Sequence, residues 1–366
     1  MNVLIDIGHP AHVHLYKKFY FSMINKNHNV YVIVKSIDSA KELLNLYNIP
    51  FIDIGPKKDS NFLKGLYQLK FNWKVFRLVR KYNIQIGVGS SITLAHVSKF
   101  TRMNSIVTND DDDDVDKLFS KYAHPFANVV LSPDVLMNKR KGDNCIFYSG
   151  YHELAYLHPN SFRPNKDVLQ ELGIKYGDKY FIMRFNAFKA SHDVGVRGLT
   201  LNQKLELIKL LKPFGKIFIT TEREIEPELR KYQMKISPEK AHSLLYYATM
   251  FLGDSQTMTS EAAVLGVPSV RCNSFAGRIS YLEEEEHKYK LTYGFKPEKF
   301  HKLLKKVKIL INNNNLKAEW ELKKERMLED KIDVSKFLVW FIENYPHSIK
   351  LLKENPDYQF RFKKMD

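Results

Sequence analysis

Two cysteines in 366 residues exclude a disulfide framework and a cysteine-rich metal site. Cys145 and Cys272 both lie in apolar runs and read as buried, reduced thiols. Long apolar runs are missing too, since none approaches the ~20 residues that a membrane span needs. The opening "MNVLIDIGHP" has neither the basic region nor the extended apolar core of a signal peptide. A cytoplasmic protein whose first buried strand starts at residue 1 is therefore expected. Acid is in short supply: 41 Asp and Glu against 57 Lys and Arg leave a formal net charge of +16. That excess fits nucleic acid, an anionic membrane surface or phosphorylated small molecules, or simply a basic surface. Zinc-ligand spacings and RNA-recognition signatures are absent, which speaks against nucleic acid as a partner.

What is present is alternation. Val- and Ile-rich runs, "NVLIDIG", "NVYVIVK", "PFIDIG", "IQIGVGS", "NSIVTND", "NVVLSP" and "CIFYSG", are separated mostly by helix-length amphipathic stretches. The pattern loosens over Gly150–Pro164 and then resumes with "KYFIMRF", "GKIFITT", "MKIS", "MFLGDS" and "VPSVRC". Repeated βαβ units imply mainly parallel sheets buried on both faces. Length favours two domains. The expected boundaries are 1–155 for an N-terminal Rossmann-like domain and 156–335 for a C-terminal one. A helical segment, 336–366, follows and is a candidate to cross back to the first domain.

The most informative stretch is "GDSQTMTSEAAVLGVPSVR", Gly253 to Arg271. A buried strand ends in small hydroxyl residues and a helix begins at once. Ligands of such sheets bind beyond the carboxyl ends of the strands, and a helix N-terminus offers free N–H groups to phosphate. Asp254, Ser255, Gln256 and Thr257 stand at that exit. Glu261, one to two turns in, is poorly placed for phosphate but suits a ribose diol. The competing reading is a capped helix, with Ser255 or Thr257 as N-cap and Glu261 in solvent.

This stretch resembles the donor-binding segment of GT-B glycosyltransferases and of non-hydrolysing UDP-N-acetylglucosamine 2-epimerases. In those proteins a Glu on the helix after a small-residue loop holds the ribose. Over nearly its full length the chain more closely resembles an uncharacterised GT-B-like group, the domain of unknown function 354. The landmarks are "DIGHPAHVH", "YSGYHELAYLHPNSFRPN", "RFNAFKASHDVG" and "GDSQTMTSEAAVLGVP". The resemblance implies an α/β GT-B fold, two Rossmann-like doubly wound domains facing a cleft. It specifies fold and donor class more than reaction.

Other candidates follow from position. The resemblance places "DIGHPAHVH" at the loop that faces the cleft from the first domain. His9 and His12 are candidate general bases there, since imidazole titrates near neutrality; capping or core roles compete, and His14 reads as packing or capping. Arg184 ends a strand, where a guanidinium can clamp phosphate, and Lys189, Ser191, His192 and Asp193 follow in the same loop. Thr220, Thr221 and Glu222 by position contact a nucleotide base or cap a helix. His242 reaches the donor or packs, and Arg271, Arg278 and Tyr281 border the donor site.

"NDDDDDVDKLF" invites a metal reading, but Asp residues crowding a helix start are favoured by capping and the helix dipole alone. One of Asp110, Asp111 or Asp112 is nevertheless a candidate catalytic base. Residues 57–83 carry eight Lys or Arg against one Asp, with apolar residues at helical spacing. This stretch either rests on anionic lipid headgroups or simply has a core face and a wet face.

The leading expectation is a metal-independent glycosyltransferase in surface-glycan assembly, peripheral on the inner membrane face if the basic stretch binds lipid. It takes a nucleotide sugar, a UDP-sugar foremost, as donor substrate and a glycan or lipid-linked acceptor, with no other cofactor. The alternatives are a nucleotide-sugar 2-epimerase and a non-catalytic module that binds sugar nucleotide or a membrane surface.

Overall fold

Among the described residues, the β-branched runs become twelve strands in two wholly parallel sheets. A computed structural model describes residues 1–56, 61–185, 198–221, 225–234 and 236–363. The described chain divides into two units, Met1–Asn160 with Lys331–Asp366, and Ser161–Asp330.

The first unit holds β1 (Asn2–Ile7), β2 (Asn29–Lys35), β3 (Ile52–Gly55), β4 (Ile86–Gly89), β5 (Asn104–Thr108), β6 (Val129–Pro133) and β7 (Cys145–Tyr148). Their order in the sheet is β3-β2-β1-β4-β5-β6-β7. The central strand β1 is buried along almost its whole length, from Val3 to Ile7. Each such aliphatic side chain contributes about 1.5–3 kcal/mol. The helices between these strands include α1 (Pro10–Asn25), α2 (Asp38–Leu46), α3 (Asn61–Lys81), α4 (Ile92–Ser98) and α5 (Lys117–Tyr122). The inner stripe of α3, Phe71, Val75 and Val79, packs with Leu4, Ile33, Ile54 and Leu94 in one core. The 4-residue spacing of that stripe is what one helix face needs to meet a sheet.

The end of the chain belongs to this unit as well. Asp333 caps the helix Val334–Glu343, which packs on α1. Glu343 binds Lys26 at 2.8 Å and His28 at 3.1 Å, and Ile332 N–H donates to Ser149 O.

The second unit holds β8 (Tyr180–Phe185), β9 (Lys216–Thr221), β10 (Met250–Gly253), β11 (Ser269–Cys272) and β12 (Thr292–Phe295), ordered β12-β11-β10-β8-β9. Among the described residues of the run "MKIS" none lies in a strand. Beside it, only an isolated bridge joins Gln233 to Ile219, and Pro238 starts a 3-10 turn that ends any extension. The strand Thr292–Phe295 is the reverse case, too short and too Gly-rich to stand out in the sequence, yet paired with β11 over four residues.

Candidate functional site

Each sheet has one place where the strand order reverses, the position at which doubly wound sheets open a crevice beyond their strand ends. In the first unit it lies between β1 and β4, and in the second between β8 and β10.

At the first reversal, β1 runs through Gly8 into α1. His9 caps that helix, its Nδ1 accepting from Ala11 N–H at 3.2 Å, as the capping reading had it. His12 sits one turn in, where its Nδ1 accepts from Gly8 N–H at 3.3 Å. Burial, reinforced by His9 and His152, pushes its pKa down to about 3, so it is neutral at any working pH. His14 packs against Tyr156 and Tyr47. Past the neighbouring strand β4, Ser91, the N-cap of α4, donates to buried Asp6, and the other oxygen of Asp6, Oδ1, has no hydrogen-bond partner among the described residues.

The acidic run follows β5 and divides in two. Arg140, 2% exposed, donates to Asp113 Oδ1 at 2.7 and 2.9 Å and to the carbonyls of Asn109 and Asp111. Lys139 meets buried Asp112 at 2.7 Å, and Asp116 caps α5. Those acids hold the loop in shape. Asp110 and Asp111 do something else. Asp110 Oδ2 lies 3.0 Å from His152 Nδ1. Burial opposes its charge, but the charge and hydrogen bond of His152 outweigh it and hold the carboxyl below its ordinary range. Burial and the charges of Asp110 and Asp116 push Asp111 the other way, up to about 7. Two adjacent carboxyls with pKa values driven apart suit acid–base chemistry.

His152 is the residue the sequence reading missed. It lies in "YSGYHELAYLHPNSFRPN", just past β7, where loss of periodicity marked a domain boundary and hid a strand-exit loop. Its Nε2 is buried with no hydrogen bond among the described residues.

At the second reversal, Gly253 ends β10 against Arg184 at the end of β8. A Cβ at Gly253 would lie 2.1 Å from Arg184 O, so only glycine lets the strands close there. Asp254 N–H donates to that same carbonyl at 3.1 Å. Ser255 caps the helix Gln256–Val264, its hydroxyl accepting from Met258 N–H at 3.3 Å, and Thr259 Oγ1 donates to Ser255 O at 2.6 Å. Gln256 and Thr257 occupy its first turn, partly exposed. Arg184 Nη1 reaches Thr220 at 3.4 Å, next to Thr221 on β9.

Glu261 does not face solvent. It is 5% exposed and its Oε1 lies 2.9 Å from His242 Nε2. Arg271, on β11, is 1% exposed, and none of its three guanidinium nitrogens has a hydrogen bond among the described residues. Glu283 Oε1 lies 3.8 Å from its Nη2, and burial lowers the pKa of Arg271. A Cβ at Gly294 would come within 2.9 Å of Nη2, so the missing side chain makes room for the guanidinium. Lys189, Ser191, His192, Asp193 and Glu222 lie outside the described residues. Among the described residues no group of three or more His, Cys, Asp or Glu is placed to hold a metal ion.

Comparisons with known proteins agree with this architecture. The family described as Protein of unknown function (DUF354) matches residues 1–326. An uncharacterized protein of Methanocaldococcus jannaschii is 23% identical over 313 residues, covering 78% of this chain and 86% of its own length. Among solved structures, UDP-GlcNAc 2-epimerase from Neisseria meningitidis bound to UDP-GlcNAc superposes with a TM-score of 0.66 at 11% identity, covering 94% of this chain and 100% of the other. A Streptomyces glycosyltransferase superposes with a TM-score of 0.58 at 10% identity, covering 94% and 99%. The fold is the GT-B fold that both kinds of enzyme share.

Proposed function

The chain belongs to the DUF354 family, and from that premise we propose that it is a glycosyltransferase that moves a sugar from a nucleotide-sugar donor, a UDP-sugar foremost, to a hydroxyl of a glycan or lipid-linked acceptor. The observation that carries this reading is the Glu261–His242 contact of 2.9 Å directly behind the Ser255 cap. A helix N-terminus suited to phosphate and a buried, imidazole-held carboxylate one to two turns in form the two halves of a nucleoside-diphosphate site. The solved structure bound to UDP-GlcNAc has the same fold.

In this reading the second unit holds the donor. Ser255, Thr257, the helix N-terminus and the guanidinium of Arg184 face the diphosphate and stabilise the charge that grows on it as the glycosidic bond breaks. Arg271, on the interior strand β11, adds positive charge. Glu261, oriented by His242, takes the ribose. The first unit supplies proton transfer. Asp111, poised near neutrality, accepts the proton of the acceptor hydroxyl, while Asp110 stays ionised beside His152 and keeps the pKa of Asp111 high. Asp112, tied to Lys139, is left out of the chemistry.

A second reading draws on the same two carboxyls. Two acids with separated pKa values also suit removal and return of a C2 proton in a nucleotide-sugar 2-epimerase. Incubation with UDP-GlcNAc in deuterium oxide separates the readings. Deuterium at C2 without any acceptor identifies the epimerase. UDP release that requires an added acceptor, with C2 unlabelled, identifies the transferase. Absence of binding by every UDP-, GDP-, dTDP- and CMP-sugar in thermal-shift measurements removes both.

A further inference from the structure

Fifty consecutive residues, Ser60 to Asn109, contain eight Lys or Arg and no Asp or Glu. They build α3, β4, α4 and β5, so the acid-free stretch is a continuous part of the first unit. The structure shows where its cations go. With Phe71, Val75 and Val79 committed to the core, α3 turns Lys70, Arg77, Arg80 and Lys81 outward.

The same outer face also carries exposed apolar residues. Leu69 is 67% and Trp73 61% exposed, and their spacing of four puts them on one face of α3. Alongside runs α4. Gln68 donates to Thr93 at 2.9 Å and Asn72 meets His96 at 3.2 Å, so the two helices lie side by side in the same direction. One turn further on stand Phe76, whose ring stacks on Trp73, and Phe100, which is 80% exposed between Lys99 and Arg102. Large apolar side chains at 60–80% exposure, on a stretch of chain that carries cations and no acids, leave water favourably for a medium that is apolar inside and anionic at its surface.

We propose that the α3–α4 face docks on an anionic lipid bilayer, with Leu69, Trp73 and Phe100 entering the headgroup layer and the flanking cations meeting lipid phosphates. Tryptophan prefers that layer, and cations near it each contribute to binding. A nucleic acid would satisfy the charge but leaves Leu69 without a partner. The contact is peripheral, since among the described residues no helix is long and apolar enough to cross a membrane. It stands whichever sugar reaction the protein performs.

The test is co-sedimentation of the full chain, without nucleotide sugar, with phosphatidylcholine vesicles and with vesicles containing 30 mol% phosphatidylglycerol. Binding to the anionic vesicles alone, weakened by salt, is expected. The double variant Leu69→Ala/Trp73→Ala should lose binding at least tenfold, and Arg77→Glu/Arg80→Glu should lose roughly fivefold per cation removed. All four positions are exposed, so the melting temperature should hold in both variants. Failure of the wild type to bind anionic vesicles overturns the proposal, as does binding by both variants undiminished from that of the wild type. Tighter binding to a single-stranded oligonucleotide than to the vesicles also overturns it and transfers the face to nucleic acid.

Discussion

His152 Nδ1 and Asp110 Oδ2 lie 3.0 Å apart, joining the loop after β7 to the loop after β5. Neither loop announces the other in the chain, yet their contact drives two neighbouring acids apart. The Asp110 carboxyl is held below its ordinary range, and Asp111 beside it is pushed up to about 7.

That coupling has a kinetic consequence. If Asp111 is the base, the rate falls on the acid side as its carboxyl protonates, with a limb near pH 7. Asp110→Asn removes the neighbouring negative charge, so the limb should move to lower pH while nucleotide-sugar affinity is retained. Asp111→Asn should cost turnover roughly 10²–10⁴-fold. A pH–rate profile of the Asp110 variant that superposes on the wild type would separate the two acids.

The same group predicts how stability depends on pH. Unfolded, Asp111 titrates near ~3.9; folded, its pKa is raised to about 7. Its protonated form therefore favours the folded state fully below about pH 4. That advantage is lost as pH rises through 7. Asp111→Asn should gain in melting temperature over the wild type as pH climbs from 4 to 7, and the gap should level off above that. A gap that stays constant across the range would show that Asp111 is not perturbed.

Glu261→Gln keeps the side-chain volume and an acceptor for His242, so the melting temperature should change little. It removes the charge that would hold a ribose diol. Hydrogen bonds to charged groups contribute about 1.5–3 kcal/mol, so nucleotide affinity should fall roughly 10- to 100-fold by isothermal titration. Undiminished affinity would return Glu261 to a purely structural role with His242.

Arg271 gives the opposite balance of stability and binding. A buried guanidinium without hydrogen bonds is costly to fold around. Replacing such a group by an apolar one of similar volume is often neutral or stabilising. Arg271→Met should therefore melt at the same temperature or higher, and bind the nucleotide diphosphate more weakly. A large drop in melting temperature would mean that Arg271 serves the fold through Glu283 and its neighbours instead.

The sequence by itself determined the strand-and-helix alternation, and with it two parallel sheets, because doubly buried strands need β-branched residues and their crossovers need amphipathic helices. It also located the exit of β10, since Gly253 and the hydroxyl residues after it have few other uses in a buried strand. Tertiary structure alone decided which polar residues meet. Nothing local distinguishes Asp110 from Asp112. One finds an imidazole from the loop after β7 and the other a lysine from the segment before it. His242 and Glu261 are 19 residues apart and become partners only when two helices pack on one sheet. Burial and partner choice set the charge of such groups, and both are properties of the packed fold, which no short stretch of chain encodes alone.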